Sequence, residues 1–371
     1  TNEKGYKYLK KTSLYGGEIV LANVGSVGKV FKVPKYEQPM TLAPNTYLIK
    51  FNKNTDKEYI FQWLSSDEFR RKLLSIIGST TLQAINKNNL RSIKLSIPKD
   101  LKEQEKIASI LSIIDSSIEK TQQLIDKYKS IKQGLMQDLF RFGIDGNGQI
   151  RSEKTHKFKD SPLGRIPEEW DVLELGKWAF VTKLAGFEYT KFFDYSKGGE
   201  IIAVRALNLK NGKLDLSDVH HIPKRTAKFL TRSQLHKGDL VISYVGTLGE
   251  VAIIPHDHTY HLAPNVAKIS LSKDKYIPEF VLQTFLTNIM QNQILLIAGS
   301  TTQAALSMGY LRTLKILTPK KNEQEKIIAV LNSANINIEN EITNLNKLKS
   351  VKQGLMQDLL SGKVRVNHLL D

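Results

Sequence analysis

The chain has 371 residues, with 54 lysines and arginines against 37 aspartates and glutamates, giving a formal net charge of +17. An apolar content of 41% beside 25% charged residues excludes a disordered chain, and the lack of cysteine excludes a disulfide framework or a thiolate metal site. No run approaches the ~20 uncharged apolar residues of a membrane span and the first residues lack the apolar core of a secretion signal, so the expectation is a cytoplasmic, non-membrane protein with a polyanionic partner.

In chain order, residues 1–98 read as a mixed α/β domain. A basic start, with Lys7, Lys10 and Lys11 around Tyr6 and Tyr8, leads to a strand signal at Glu18–Ala22 and the glycine turn Asn23–Gly28. Leu-Ala-Pro-Asn at Leu42–Asn45 and Gly-Ser-Thr-Thr at Gly78–Thr81 follow. After Pro98 a helix is predicted over 99–141, where Ile107, Leu111, Ile114, Ile118, Thr121, Ile125 and Tyr128 keep a 4-3-4-3-4-3 spacing. That period, near 3.5, belongs to a coiled-coil seam, and the stretch from about Lys102 to Phe140 makes a helix about 58 Å long. Residues 142–157 read as a short polar linker; Asp145-Gly146-Asn147-Gly148 predicts a turn rather than a calcium loop, because Gln149 and Ile150 stand where an oxygen ligand and a glycine belong.

Residues 158–319 form a second mixed domain, 320–361 a second long helix and 362–371 a tail. Its seam carries Ile327, Leu331, Ala334, Ile338, Leu345 and Leu348, and Asn322 with Glu325 predicts a capping box at its start. The second half repeats the first. Lys132–Leu139 recurs identically at Lys352–Leu359, Glu103–Ile107 at Glu323–Ile327 and Leu42–Asn45 at Leu262–Asn265, all at an offset of 220. Gly78–Thr81 recurs at Gly299–Thr302 and Gly25/Gly28 at Gly246/Gly249, at 221. One order and a near-constant offset define a tandem duplication.

The fold class is therefore α+β: two mixed α/β domains joined by two long helices that the short linker makes antiparallel, in a pseudo-twofold repeat with one domain at each end of a rod. Gly134 and Gly354, at one shared position inside the helices, predict close approach of another backbone. Thr1 aligns with Ile222 whereas the second domain begins near His156, so the first copy lacks counterparts of 156–221 and its domain is expected to be short of its opening segment.

Lys99–Arg141 holds eight basic and seven acidic residues and Lys320–Leu360 six and five, so +15 of the net charge lies outside the helices. The domains, not the helices, suit DNA. There is no Gly-x-Gly-x-x-Gly, phosphate loop, Gly-x-Ser-x-Gly elbow or amino-methyltransferase Asn/Asp-Pro-Pro-aromatic pattern, and His256, His258 and His261 have Lys35, Glu37 and Thr41 as counterparts, which argues against a metal. The chain reads as a binding protein without catalytic residues, cofactor or metal of its own.

These features resemble the specificity subunit of type I restriction–modification enzymes. The resemblance rests on the domain opening Phe158–Trp170, Gly238–Val241 before a glycine turn, the Gly-Ser-Thr-Thr blocks, proline followed by Glu-Gln-Glu-Lys-Ile at each helix start, and the ending Lys352–Arg365. It implies two target recognition domains that each read one half of a split double-stranded DNA target, with the helices as ruler. It also implies docking of two methyltransferase subunits and of restriction subunits, which would carry S-adenosylmethionine, ATP and Mg. On that footing Lys7, Lys10, Lys11, Lys191, Lys228 and Arg232, beside Tyr8 and Tyr189, are candidate phosphate contacts, and Arg205, Asn208 and Gln303 candidate base readers. Asn23 against Tyr244, with Thr247 in the same turn, marks a position where two readers of different sequences should differ. Ser79, Thr80, Thr81, Ser300, Thr301 and Thr302 are either structural turns or phosphate contacts. Ile107, Leu111, Ile114, Ile118, Ile327, Leu331, Ile338 and Leu345 form the seam and partner-docking set, and Trp170 and Tyr128 are expected to pack. The competing reading is a coiled-coil scaffold whose end domains bind proteins without DNA discrimination.

Overall fold

The computed structural model describes residues 3–77, 84–193, 195, 196, 198–272, 274–299 and 305–370. The chain divides into two units, one of Thr1–Asp126 with Glu339–Asp371 and one of Lys127–Ile338. In the first, the apolar run Ile19–Ala22 is the buried centre of a three-stranded antiparallel sheet, flanked by Val30–Lys32 and Thr46–Ile49. Asp56 accepts a hydrogen bond from the Tyr59 N–H at 2.7 Å and so starts helix Lys57–Leu64, which is followed by helix Asp67–Ile77. Tyr59, Trp63, Phe69 and Leu73 from these helices cover Ile19 and Leu21, together with Ile107 and Leu111 of the first long helix and Leu359 and Leu360 of the second. Each such buried side chain contributes ~1.5–3 kcal/mol relative to exposure.

The second unit repeats this plan and adds to it. Leu240–Ser243, again wholly buried, pairs with Val251–Ile253 and Val266–Leu271, and a fourth strand, Ala179–Lys183, joins the far edge. A second four-stranded sheet runs His220–Ile222, Ile201–Val204, Tyr260–Leu262, Gln234–Leu235, with one parallel pair between Ile201–Val204 and Tyr260–Leu262. Ala179–Lys183, Ile201–Val204 and most of His220–Ile222 come from the stretch without a counterpart in the first copy, whereas the pair Gln234–Leu235 with Tyr260–Leu262 repeats Ser13–Leu14 with Met40–Thr41 of the first unit. Consequently Val266–Leu271 is paired on both sides and its first four residues are buried, whereas its equivalent, Thr46–Ile49, pairs on one side among the described residues and is half-buried.

The long helices span Leu101–Phe142 and Lys321–Leu360. In the first unit Ile107, Ala108 and Leu111 meet Leu355, Met356, Leu359 and Leu360, and Lys352 Nζ reaches Asp115 at 2.6 Å, so the helices run antiparallel. In the second unit Leu139 and Phe140 meet Ile327, Ile328 and Leu331 in the same sense. Of the expected seam, Ile107, Leu111, Ile327, Leu331 and Leu345 are buried, and Ile114, Ile118 and Ile338 are half-buried. Trp170 is fully buried and Tyr128 half-buried. Asp145 closes its turn by accepting from the amides of Asn147 and Gln149, both at 2.9 Å.

Two expectations are corrected. Gln324 N–H already bonds the Lys320 carbonyl at 3.1 Å, which places Asn322 inside the first turn, so it cannot cap the helix with Glu325. A side chain at Gly134 or Gly354 would meet nothing within 4 Å, so neither glycine admits a neighbouring backbone of this chain. Each helix start is held instead by a buried glutamine. Gln104 accepts from Asp56 N–H at 2.9 Å and donates to Pro98 O at 2.8 Å; Gln324 accepts from Ile277 N–H at 3.0 Å and donates to Lys275 O at 2.8 Å and Pro319 O at 2.9 Å. Beside Gln324, the buried Glu323 receives the Arg151 guanidinium, Trp170 Nε1 at 3.1 Å and the Ile144 N–H at 2.9 Å.

Candidate nucleic-acid interface

Both domains turn the same basic corner. Helix Glu3–Tyr8 passes into a 3-10 turn at Lys10–Thr12, and helix Lys224–Phe229 into one at Thr231–Ser233; each then enters a strand through a buried leucine, Leu14 or Leu235. On the first corner Lys7, Tyr8, Lys10 and Lys11 are exposed, with Lys7 2.7 Å from Glu3. On the second, Lys224, Arg225, Lys228 and Arg232 are exposed and form no salt bridge among the described residues. Lys224 and Arg225 were missed in the sequence; their i, i+4 and i, i+3 relation to Lys228 was the available signal. Lys224 and Lys228 also line a cavity of about 300 Å³ with Gln234, His236, His258 and Tyr260. Asp257 lies 3.6 Å from His236, and the Lys237 amide holds its carboxyl below the usual carboxylate range.

The glycine turns are superimposable in their bonding. Asn23 donates its N–H to Asn45 O and accepts from Ile85 N–H, both at 3.0 Å; Tyr244 donates to Asn265 O at 3.1 Å and accepts from Leu306 N–H at 2.9 Å. Gly28 N–H bonds Ala22 O at 2.9 Å and Gly249 N–H bonds Ser243 O at 3.0 Å. Gly25, Gly28, Gly246 and Gly249 all have φ between 77° and 83°, the left-handed region that excludes most side chains. On this common frame the side chains differ. Asn23 has a buried amide oxygen without a partner among the described residues, whereas Tyr244 presents a ring beneath Lys183 Nζ at 5.0 Å. Lys183 was not found in the sequence because its strand lies 61 positions before Tyr244. Thr247 is exposed at the tip of the second turn. Ser79, Thr80, Thr81, Ser300, Thr301, Thr302 and Gln303 lie outside the described residues.

Arg205 and Asn208 are engaged within the protein. The Arg205 guanidinium donates to Asp218 O at 2.8 Å and Asp218 Oδ2 at 3.0 Å and lies 3.1 Å from His220 Nε2. Asn208 is buried, accepts from Arg205 N–H at 3.0 Å and donates to Asp215 O at 2.9 Å and Asp218 O at 2.8 Å. The pair therefore ties the loop after strand Ile201–Val204 and has no bidentate edge left for a base. Tyr189 and Lys191 lie exposed on helix Gly186–Phe192, among the aromatic side chains Phe187, Phe192 and Tyr195. His261 is fully buried, its ring nitrogens 2.8 Å from Leu262 O and 3.1 Å from Leu230 O, and burial pushes its pKa down. Among the described residues no group of three or more His, Asp or Glu is placed to hold a metal, and no helix is long and apolar enough to cross a membrane.

This arrangement, two basic domains on paired long helices, is that of a DNA specificity protein, and comparison with known proteins agrees. The family model for the type I restriction modification DNA specificity domain matches residues 1–129 and 167–353. The chain is 26% identical to the type I restriction enzyme MjaVIII specificity subunit of Methanocaldococcus jannaschii, over 86% of this chain and 72% of that one. A chain from a structure describing complex assembly and conformational transition of the type I R-M system is similar in fold at a TM-score of 0.61 and 13% identity, covering 94% of this chain and 82% of that one. The S subunit from M. genitalium gives 0.55 and 14%, covering 94% and 84%. The chain belongs to the type I restriction–modification specificity family and carries two of its DNA specificity regions.

Proposed function

We propose that this chain is the non-catalytic subunit that gives a type I restriction–modification complex its DNA sequence, each mixed domain reading one half of a two-part target. The observation that carries this reading is the pair of glycine turns: identical backbone bonding in both domains, with Asn23 in one and Tyr244 in the other. A duplicated frame that keeps its backbone and changes the side chain it presents suits two readers of one polymer with different sequences. The basic corners at Lys7–Lys11 and Lys224–Arg232 supply the sequence-independent attraction to phosphates.

The long helices set the gap between half-sites and dock two methyltransferase subunits, and restriction subunits assemble on them as well. S-adenosylmethionine, ATP and Mg belong to the partners, and target adenine chemistry is theirs. The near-neutral helices support this division, since +15 of the charge lies elsewhere. The test is salt-dependent binding of the chain, co-purified with its methyltransferase partner, to target DNA. A log–log slope of several units, each neutralised phosphate adding about −0.9, together with preference over scrambled DNA, is the expected result. Capture of partner proteins with no DNA discrimination would favour a coiled-coil scaffold.

A further inference from the structure

We infer that Tyr8 and Phe229 are equivalent stacking knobs, one in each recognition domain, that wedge against bases of the DNA target. This deepens the DNA-reading proposal and rests on it. The two residues occupy the same position of the duplicated unit, 221 apart, each the last residue of its short helix before the 3-10 turn. Tyr8 is 88% exposed and Phe229 65% exposed. The neighbouring duplicated positions have an evident structural reason: Leu14 and Leu235 are buried where the corner enters its strand. Neither Tyr8 nor Phe229 belongs to the core of its domain. Exposing such a ring forfeits the ~1.5–3 kcal/mol that burying a large apolar side chain returns, yet both copies present one.

The surroundings identify the occupant as a polyanion. Lys7 precedes Tyr8 and Lys10 and Lys11 follow it; Lys228 precedes Phe229 and Arg232 follows it, at the register of Lys11. An apolar protein surface burying an aromatic anchor would leave these cations desolvated without counter-charges, whereas a nucleic acid supplies a phosphate on either side of each base. Phe229 has support for the task, since Phe192 of the adjacent helix packs against it at a centroid distance of 4.8 Å and is itself 42% exposed. The pair offers an apolar edge with cations beside it, the combination with which proteins unstack base steps. The knobs carry little sequence information by stacking alone; they hold each domain in register on its half-site while other side chains read base edges.

The test uses the full chain in complex with its methyltransferase subunits, the DNA sequence that complex selects, and the variants Tyr8→Ala, Phe229→Ala and Phe229→Trp. The alanine variants are expected to melt at the wild-type temperature. Each weakens target binding about tenfold and abolishes permanganate reactivity of unstacked thymines in one half-site, a different one for each variant. Their salt slope stays at the wild-type value, and Phe229→Trp restores affinity. Lys228→Ala, in contrast, lowers the slope by about 0.9. Alanine variants that bind as tightly as wild type with the same permanganate pattern would overturn the stacking contact while leaving the DNA reading intact. Alanine variants that shed the methyltransferase subunits but bind DNA normally once assembled would also overturn it, in favour of a protein contact. If the wild-type complex selects no sequence, the DNA reading falls and the knobs with it.

Discussion

Arg365 closes on Glu103 through two hydrogen bonds, Nε to Oε1 and Nη2 to Oε2, each 2.6 Å long, across 262 positions of sequence. Glu103 is fully buried at the start of the first long helix, and Arg365 follows the end of the second. Glu323 and Arg151 repeat the arrangement in the other unit, with Arg151 following the end of the first helix. In each unit, therefore, the segment after one long helix clamps the start of the other. The Arg365 hydrogen bonds hold the Glu103 carboxyl below its ordinary value of 4.5 against the opposing effect of burial.

That depression gives a pH dependence of definite sign. A carboxyl whose folded pKa lies below its unfolded one stabilises the fold fully above 4.5, and the contribution disappears as pH falls through the lowered value. In Arg365→Gln the Val366 amide alone is left against the opposing effect of burial, so Glu103 should titrate higher and acid unfolding should begin at a higher pH than in wild type. Melting temperature followed from neutral pH into acid reads this directly; coincident acid limbs for the two proteins would refute it.

The second clamp is more enclosed and should be costlier to break. Glu323→Ala leaves the Arg151 guanidinium, only 8% exposed, with Glu169 at 3.9 Å as its remaining carboxylate, and should destabilise the protein by about 3 kcal/mol. Gly143→Ala should act through the same site. Gly143 has φ of 65°, and a Cβ there would stand 2.3 Å from Glu323 Oε1 and 2.4 Å from the Trp170 ring. Equilibrium denaturation of both variants is the check, and a loss below about 1 kcal/mol for either would contradict the clamp's role.

Seam positions should rank by burial. Leu331 is fully buried, so Leu331→Ala should cost about 2–5 kcal/mol. Ile114, half-buried, should cost clearly less on truncation. Leu331→Asp would bury an unpaired charge and should disrupt helix packing or partner docking altogether. Wild-type denaturation midpoints and normal co-purification for Leu331→Asp would remove this account of the seam.

Arg205 and Lys183 should behave in opposite ways. Because Arg205 is bound to Asp218 and His220, Arg205→Ala should lower stability by about 1–3 kcal/mol and leave the selected DNA sequence unchanged. Lys183 lies over the Tyr244 ring, and Lys183→Ala should leave stability nearly intact and reduce the salt slope of binding by about 0.9. Thermal melting and binding isotherms at several salt concentrations separate the two. A changed sequence preference in Arg205→Ala would mean that its guanidinium leaves Asp218 for a base.

The duplication, the long helices and most of their seam were legible in the sequence because repetition and a 3.5-residue period are local patterns. Trp170 was legible as a packing residue, and the turn at Asp145 from its own chemistry. The clamps were not. Glu103 and Glu323 look like solvated residues in a helical first turn, and the arginines that bury them stand 262 and 172 positions away. Arg205 looked like a base reader because Asp218 and His220 reach it only after the chain has folded back as strand His220–Ile222. Gly134 and Gly354 misled for a related reason: a shared position in two copies marks a shared constraint without telling which face of the helix bears it.

The most direct test of the whole account is selection of bound sequences from a random DNA pool, using this chain co-purified with its methyltransferase subunits. The account predicts two short specific blocks separated by a gap of fixed length and free sequence, with substitutions at Asn23 altering one block and substitutions at Tyr244 the other. A single contiguous block, or a pool left unenriched, would contradict it.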